Sequence, residues 1–99
     1  MVRNRDDVLH AVDQHHERLA ALGVRRIGLF GSVARGETAP GSDLDFVVEL
    51  HPKTFDAYLD VKEFLENLFA ARIDLVLTDA IKPRLRRTIL DEAVYAPGF

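Results

Sequence analysis

"GLFGSVARGETAPGSDLDFVVEL", Gly28 to Leu50, decides how the rest of the chain is read. An apolar run reaches a bend marked by Gly31 and Ser32, and a polar loop then leads into a second apolar run that carries Asp43 and Asp45. Val24–Phe30 reads as one strand, because β-branched and large apolar residues lie between a stop at Gly23 and the bend at Gly31. Asp43–Leu50 reads as the next, and Pro52, with no N–H to offer a ladder, helps to end it. Side chains alternate across a strand, so Leu44, Phe46, Val48 and Leu50 face one way while Asp43, Asp45, Val47 and Glu49 face the other. Gly28, inside the first strand, suits either a close backbone approach or a bulge.

Working outward, Asn4–Leu22 suits a helix with Asn4 as its cap, acidic Asp6 and Asp7 in the first turn, and an apolar stripe of Val8, Val12, Leu19 and Leu22. His15 falls on that stripe with His16 beside it. Only His10 is nearby, so packing or solvent explains these histidines better than metal ligation. After Pro52, Thr54 caps a helix carrying Phe55, Tyr58, Leu59, Leu65, Leu68 and Phe69 at helical spacing. Arg72–Thr78 forms a third strand, and "AIKPRLRRTILDEAVYA" a last helix with Pro83 in its first turn. The order α-β-β-α-β-α over 99 residues predicts a single α+β domain, residues 1–99, with a small mixed sheet flanked by helices.

The third strand divides as the second does, with Ile73, Leu75 and Leu77 set against Asp74. If the apolar faces share one core, Asp43, Asp45 and Asp74 all emerge on the opposite side of the sheet. Asp43 and Asp45 then stand roughly 6.5 to 7 Å apart along their strand, with the third acid about 5 Å, or a small multiple of that, to the side. Clustered carboxylates raise one another's pKa unless a cation neutralises them, and Mg²⁺, which prefers oxygen ligands and keeps waters and phosphates, suits the cluster. Taken alone, Asp43 also suits the opening of a strand, and Asp74 a half-exposed residue paired with Arg72. In the bend, "SVARG" makes a short helical turn capped by Ser32 and ended by Gly36. Backbone N–H groups at such a start attract phosphate oxygens, Gly31 permits close approach, Ser32 adds a hydroxyl, and Arg35 either adds charge or pairs with Glu37.

Composition bounds the function classes. The formal net charge of -3 supplies no global attraction for nucleic acid, so direct nucleic-acid binding is not expected. The absence of cysteine excludes disulfides and thiolate-bound zinc. No apolar stretch matches a signal peptide or membrane span, so a soluble cytoplasmic protein is expected. "KPRLRR", Lys82–Arg87, suits a solvated helix face as well as a contact with a partner, nucleotide phosphates or RNA.

Taken together, Gly31-Ser32, the Asp43-Leu44-Asp45 triplet and the later Asp74 resemble the signature of the DNA polymerase β-like nucleotidyltransferase superfamily. "GSVARGE" with "SDLDF" looks like its minimal nucleotidyltransferase (MNT) branch, and the likeness runs from the first helix through "RIDLVLTDAIKP". The resemblance implies a polymerase β-like fold and two Mg²⁺ ions. It implies Asp43 and Asp45 as ligands of both ions and Asp74 as ligand of the ion beside the attacking hydroxyl. Gly31 and Ser32 are then expected to hold the β- and γ-phosphates, with Arg35 as helper, and ATP is the expected nucleotide. Minimal members resemble the antitoxins that silence a HEPN-domain toxin by attaching AMP to a tyrosine, an expectation in which the acceptor comes from outside the chain. Transfer to a small molecule or an RNA end at a homodimer interface, and toxin masking without catalysis, are the rival expectations.

Overall fold

A computed structural model describes residues 4–37 and 43–99. Residues 38–42, most of the polar loop ahead of Asp43 including Ser42, lie outside the described residues. The first helical segment is two helices, α1 (Arg5–Gln14) and α2 (His16–Ala21), where the sequence predicts one. The break has a local cause. The His15 Nδ1–H donates to the Ala11 carbonyl at 2.8 Å, taking the acceptor that the residue's own backbone N–H would use in a helix, and that N–H turns to Val12 O instead. Asn4 caps α1 as expected, its side chain accepting from the Asp7 N–H at 2.8 Å.

β1 (Val24–Phe30) runs antiparallel to β2 (Leu44–Leu50), which pairs in parallel with β3 (Ile73–Leu77). The last helix, α5, begins with Pro83 in its first turn but stops at Glu92. Val94–Tyr95, expected within that helix, instead forms a short strand, β4, antiparallel to β1. The result is a mixed sheet of order β3-β2-β1-β4 flanked by helices, an α+β architecture. β4 depends on pairing with a distant strand, which no local period in the sequence reveals.

The face carrying Leu44, Phe46, Val48 and Leu50 packs with Ile27 and Leu29 of β1 beneath α1, α2 and α4 (Phe55–Phe69), burying Val8, Val12, Leu19, Val61, Leu65 and Phe69 in one core. Thr54 caps α4 through its hydroxyl. The buried positions of α4 are Val61, Leu65 and Phe69, while Phe55 is 73% and Leu59 43% exposed, so the stripe expected from Phe55 onward is rotated toward Val61. The Tyr58 hydroxyl, donating to Leu75 O at 2.7 Å, ties that helix to β3.

The second face of the sheet is also partly covered. Val47 has 0% exposure although it points away from the main core, and α5 rests against β1 and α3 (Gly31–Ala34). The irregularity in β1 lies between Val24 and Arg26, not at Gly28. Gly28 marks a close approach: a Cβ there would meet the Tyr95 ring at 3.0 Å, and Arg26 holds that ring from 4.1 Å. No helix among the described residues is long and apolar enough to cross a membrane.

Candidate active site

The three aspartates lie at the end of the sheet where β1 finishes and β2 and β3 begin. In the parallel pairing of β2 with β3, Asp45 stands directly opposite Asp74, with Phe30 of β1 on its other side. Leu44 N–H bonds to Arg72 O at 3.1 Å, so pairing already holds the strands together one residue after Asp43. Asp43 and Asp74 are exposed, whereas Asp45 is half-buried. Burial pushes the Asp45 carboxyl up to about 6, with Asp74 and then Asp43 repelling its charge and Arg35 opposing them. Hydrogen bonding toward the Asp74 carboxyl raises it further, as the smallest of these contributions.

Gly31 joins the bend to these acids. Its φ of +76° lies in the left-handed region, and a Cβ at this position would collide with Asp45 Oδ2 and lie 2.9 Å from Asp45 Cγ. The Asp45 carboxylate thus occupies the space a side chain at residue 31 would need, and a non-glycine residue here would displace it. The sequence leaves Gly31 with one role, close approach of a phosphate; the fold adds accommodation of the acid.

The short helix α3 starts two residues earlier than expected, with Phe30 and not Ser32 as its cap and Ser32 inside the first turn. The left-handed Gly31 turns the chain before Ser32, which therefore does not serve as the cap. Among the described residues the Ser32 hydroxyl makes no hydrogen bond, which leaves it available as a donor. At the other end Gly36 N–H bonds to Val33 O and Glu37 N–H to Ser32 O, a paired closure that ends the helix at Gly36 as the sequence predicts.

Arg35 pairs with Glu37 at 3.1 Å, the alternative open in the sequence, and also with Glu92 of α5 at 3.3 Å. The second partner is far away in sequence, and no motif points to it. The contact fastens α5 to the bend while leaving the guanidinium close enough to Asp45 to lower its pKa.

Arg72 forms no ion pair with Asp74 among the described residues, so the salt-bridge alternative for Asp74 does not hold. Arg72 instead lines a depression with Asp43, Lys62, Glu66, Ile73 and Asp74. Lys82–Arg87 begin α5 beyond the far end of β3, and all of that cluster is exposed. Arg86 donates to Thr78 O and Arg87 pairs with Asp91, as a solvated helix face does. His15 and His16 stand edge-on to Phe64 and Phe99, in packing roles.

The donor chemistry around Asp45 is all carboxylate oxygen, which suits a hard divalent cation, and the raised Asp45 pKa is what such a cluster shows without a neutralising charge. Among the described residues, no three His, Cys, Asp or Glu side chains form a group that could hold one ion. Asp45 and Asp74 are paired across the two strands, whereas Asp43 lies one residue before β2.

Comparison with known proteins accords with this architecture. Residues 12–96 match the family described as nucleotidyltransferase domain. The protein adenylyltransferase MntA of Thermococcus cleftensis is 39% identical over 74 residues, spanning 74% of this chain and 75% of that protein. The structure of a putative minimal nucleotidyltransferase superposes with a TM-score of 0.72 at 36% identity, covering 87% of this chain and 93% of the other. A tri-AMPylated Shewanella oneidensis HEPN toxin in complex with MNT antitoxin includes a chain of the same fold, with a TM-score of 0.64 at 17% identity, covering 92% of this chain and 73% of that one. A signature bend feeding paired aspartates, a third acid in register beside them, and a family match over most of the chain together identify it as a member of the nucleotidyltransferase family and a nucleotidyltransferase enzyme.

Proposed function

We propose that this chain transfers AMP from ATP to a tyrosine hydroxyl of a HEPN-type toxin and so acts as its antitoxin in the cytoplasm. The observation that carries the proposal is the register of Asp45 against Asp74 beside Gly31, which sets two carboxylates next to a glycine-permitted bend. The MntA relative, a protein adenylyltransferase, supports AMP as the group and protein as the acceptor class. The MNT antitoxin bound to its AMPylated toxin supports the partner.

In this proposal the backbone N–H groups at Gly31 and Ser32 and the Ser32 hydroxyl hold the outer phosphates, and Arg35 adds positive charge beside them. Asp43, Asp45 and Asp74 are the carboxylates that would be offered to Mg²⁺, though no three such side chains converge as one ion's site among the described residues; when bound, the ion would supply charge neutralisation for the attacking and leaving oxygens. The acceptor oxygen forms a bond to the α-phosphorus, the bond from that phosphorus to the bridging oxygen breaks, and pyrophosphate leaves. In this reading Asp74, which lies on the edge strand, orients the acceptor hydroxyl and takes its proton.

Incubation with ATP labelled at the α-phosphate, Mg²⁺ and a candidate HEPN-type toxin tests the proposal. The label is expected on a partner tyrosine, with equimolar pyrophosphate released. Label found instead on RNA or a small molecule would change the acceptor. Protection of cells from the partner by Asp43→Ala as well as by the wild type would show masking without catalysis.

A further inference from the structure

We infer that Glu92 is a positioning residue for nucleotide binding: it anchors the Arg35 guanidinium through Nη1, while Glu37 occupies the Nε and Nη2 edge that an incoming phosphate takes over. The inference rests on the proposed function for what Arg35 meets, though not for what holds Arg35. Both acids are in contact with the same group. Arg35 Nε and Nη2 donate to Glu37 Oε2 at 3.2 and 3.1 Å, and Nη1 donates to Oε1 and Oε2 of Glu92, each at 3.3 Å. One planar fork thus carries two carboxylates on different nitrogens, and a phosphate that takes Nε and Nη2 in parallel hydrogen bonds takes the place of Glu37.

The two acids differ in what holds them. Glu37 follows Arg35 by two residues at the end of the bend, and its side chain is 65% exposed. The Glu92 side chain is 31% exposed and belongs to the last turn of α5, whose continuation is fastened down at several points. Val94 and Tyr95 pair with β1, Ala96 N–H bonds to Ile27 O at 2.9 Å, and Gly98 N–H bonds to the Asp13 carboxylate at 2.8 Å. The bend itself is braced from the other side, where Arg5 of α1 donates to Ala34 O at 3.3 Å. With the backbone held on both flanks, the freedom that remains is that of the long Arg35 side chain, and binding has to remove it. The Glu37 contacts are the shorter pair, but water screens an exposed ion pair more strongly, so exchange falls to Glu37 and anchoring to Glu92.

Charge alone gives a different expectation. Both acids carry the same charge beside the same guanidinium, so if they acted only by offsetting it, removal of either would strengthen its attraction for a phosphate. Positioning gives opposite signs. Loss of Glu37 vacates the edge a phosphate uses and tightens binding, whereas loss of Glu92 leaves the guanidinium free among rotamers that the nucleotide must then order. In this role Glu92 acts through Arg35 and not on the reacting atoms.

The test reads two quantities on the full chain: the heteronuclear NOE of the Arg35 Nε–H in ¹⁵N-labelled protein without nucleotide, and the affinity for ATP by calorimetry in buffer containing Mg²⁺. Glu92→Ala is expected to lower the NOE further than Glu37→Ala does and to weaken ATP binding about three- to fivefold, the scale of a partly exposed ion pair. Glu37→Ala is expected to tighten ATP binding by a similar factor, and Glu92→Gln, which keeps one acceptor oxygen, to fall between Glu92→Ala and the wild type. In an Arg35→Ala background both substitutions are expected to lose their effect on ATP. An Arg35 Nε–H as ordered in Glu92→Ala as in the wild type, tighter ATP binding in both single variants, or a Glu92 effect that persists without Arg35 would overturn the inference. The opposite signs on ATP binding, seen together with no AMP transfer to a HEPN-type toxin, would sink the proposed reaction and leave the role of Glu92 standing.

Discussion

The two faces of β2 carry opposite assignments on one seven-residue strand. On one face Leu44, Phe46, Val48 and Leu50 are at most 3% exposed, and the Phe46 ring stacks on Phe69 at 6.0 Å. On the other, Asp45 lies half-buried against Asp74, and Glu49 is exposed, with only Val47 fully covered between them. The first face gains free energy by leaving water, at about 25 cal/mol per Å² of apolar surface. The second spends some of it, because a carboxylate pushed up to about 6 by burial and like charge is one whose ionised form the fold disfavours. The difference teaches that a period of two residues is enough to separate what holds the protein together from what the nucleotide and cation are expected to meet.

The contrast breaks most visibly if the charged face can be altered without consequence. Asp45→Ala is expected to lower AMP transfer to the partner by ~10³-fold or more, the scale of losing a group that stabilises the transition state, with the circular dichroism spectrum unchanged. Residual transfer within tenfold of wild type would show that the acids are not the working groups. On the apolar face, Phe46→Ala removes a ring with 0% exposure and is expected to cost about 3–5 kcal/mol, read as a lower urea midpoint. A cost under about 1 kcal/mol would show that this face is not where stability resides.

Gly31→Ala probes the joint between bend and acid. It forces a Cβ into a left-handed backbone and against the Asp45 carboxylate, so a loss of about 1–2 kcal/mol is expected together with weaker transfer. Wild-type stability would mean that Asp45 can move aside freely.

The smallest effect is a pH dependence of stability. The Asp45 carboxyl, raised from 3.8 to about 6, binds its proton more tightly in the folded state, so its contribution is fully present below 3.8 and is lost as pH rises through 6. Asp45→Asn removes that dependence. Without Mg²⁺, the variant is expected to melt ~4–8 °C above wild type at pH 8, for about 1 kcal/mol after discounting for the partial exposure of Asp45, and the gap to narrow toward pH 4. Addition of Mg²⁺ is expected to raise the wild-type melting temperature and not that of the variant. A pH-independent gap would mean that Asp45 titrates as it does in the unfolded chain.

Much of this molecule follows from the order of its residues alone. The three main strands, the Asn4 and Thr54 caps, the closure at Gly36 and the facing of Asp45 and Asp74 to one side of the sheet are consequences of short periods and local hydrogen bonding. Where another element decides, the sequence is silent. Parallel pairing set Asp45 opposite Asp74 and not one register away, because alternation specifies a face and leaves the neighbour open. Val94–Tyr95 became a strand because β1 offered an open edge, and the long first helix broke because the His15 ring claimed a carbonyl. Arg35 found Glu92, and Gly31 made room for Asp45, only once helix and strand were docked. Local patterns act over a few bonds and are written in the chain, whereas contacts between distant residues exist only after the core has brought their elements together.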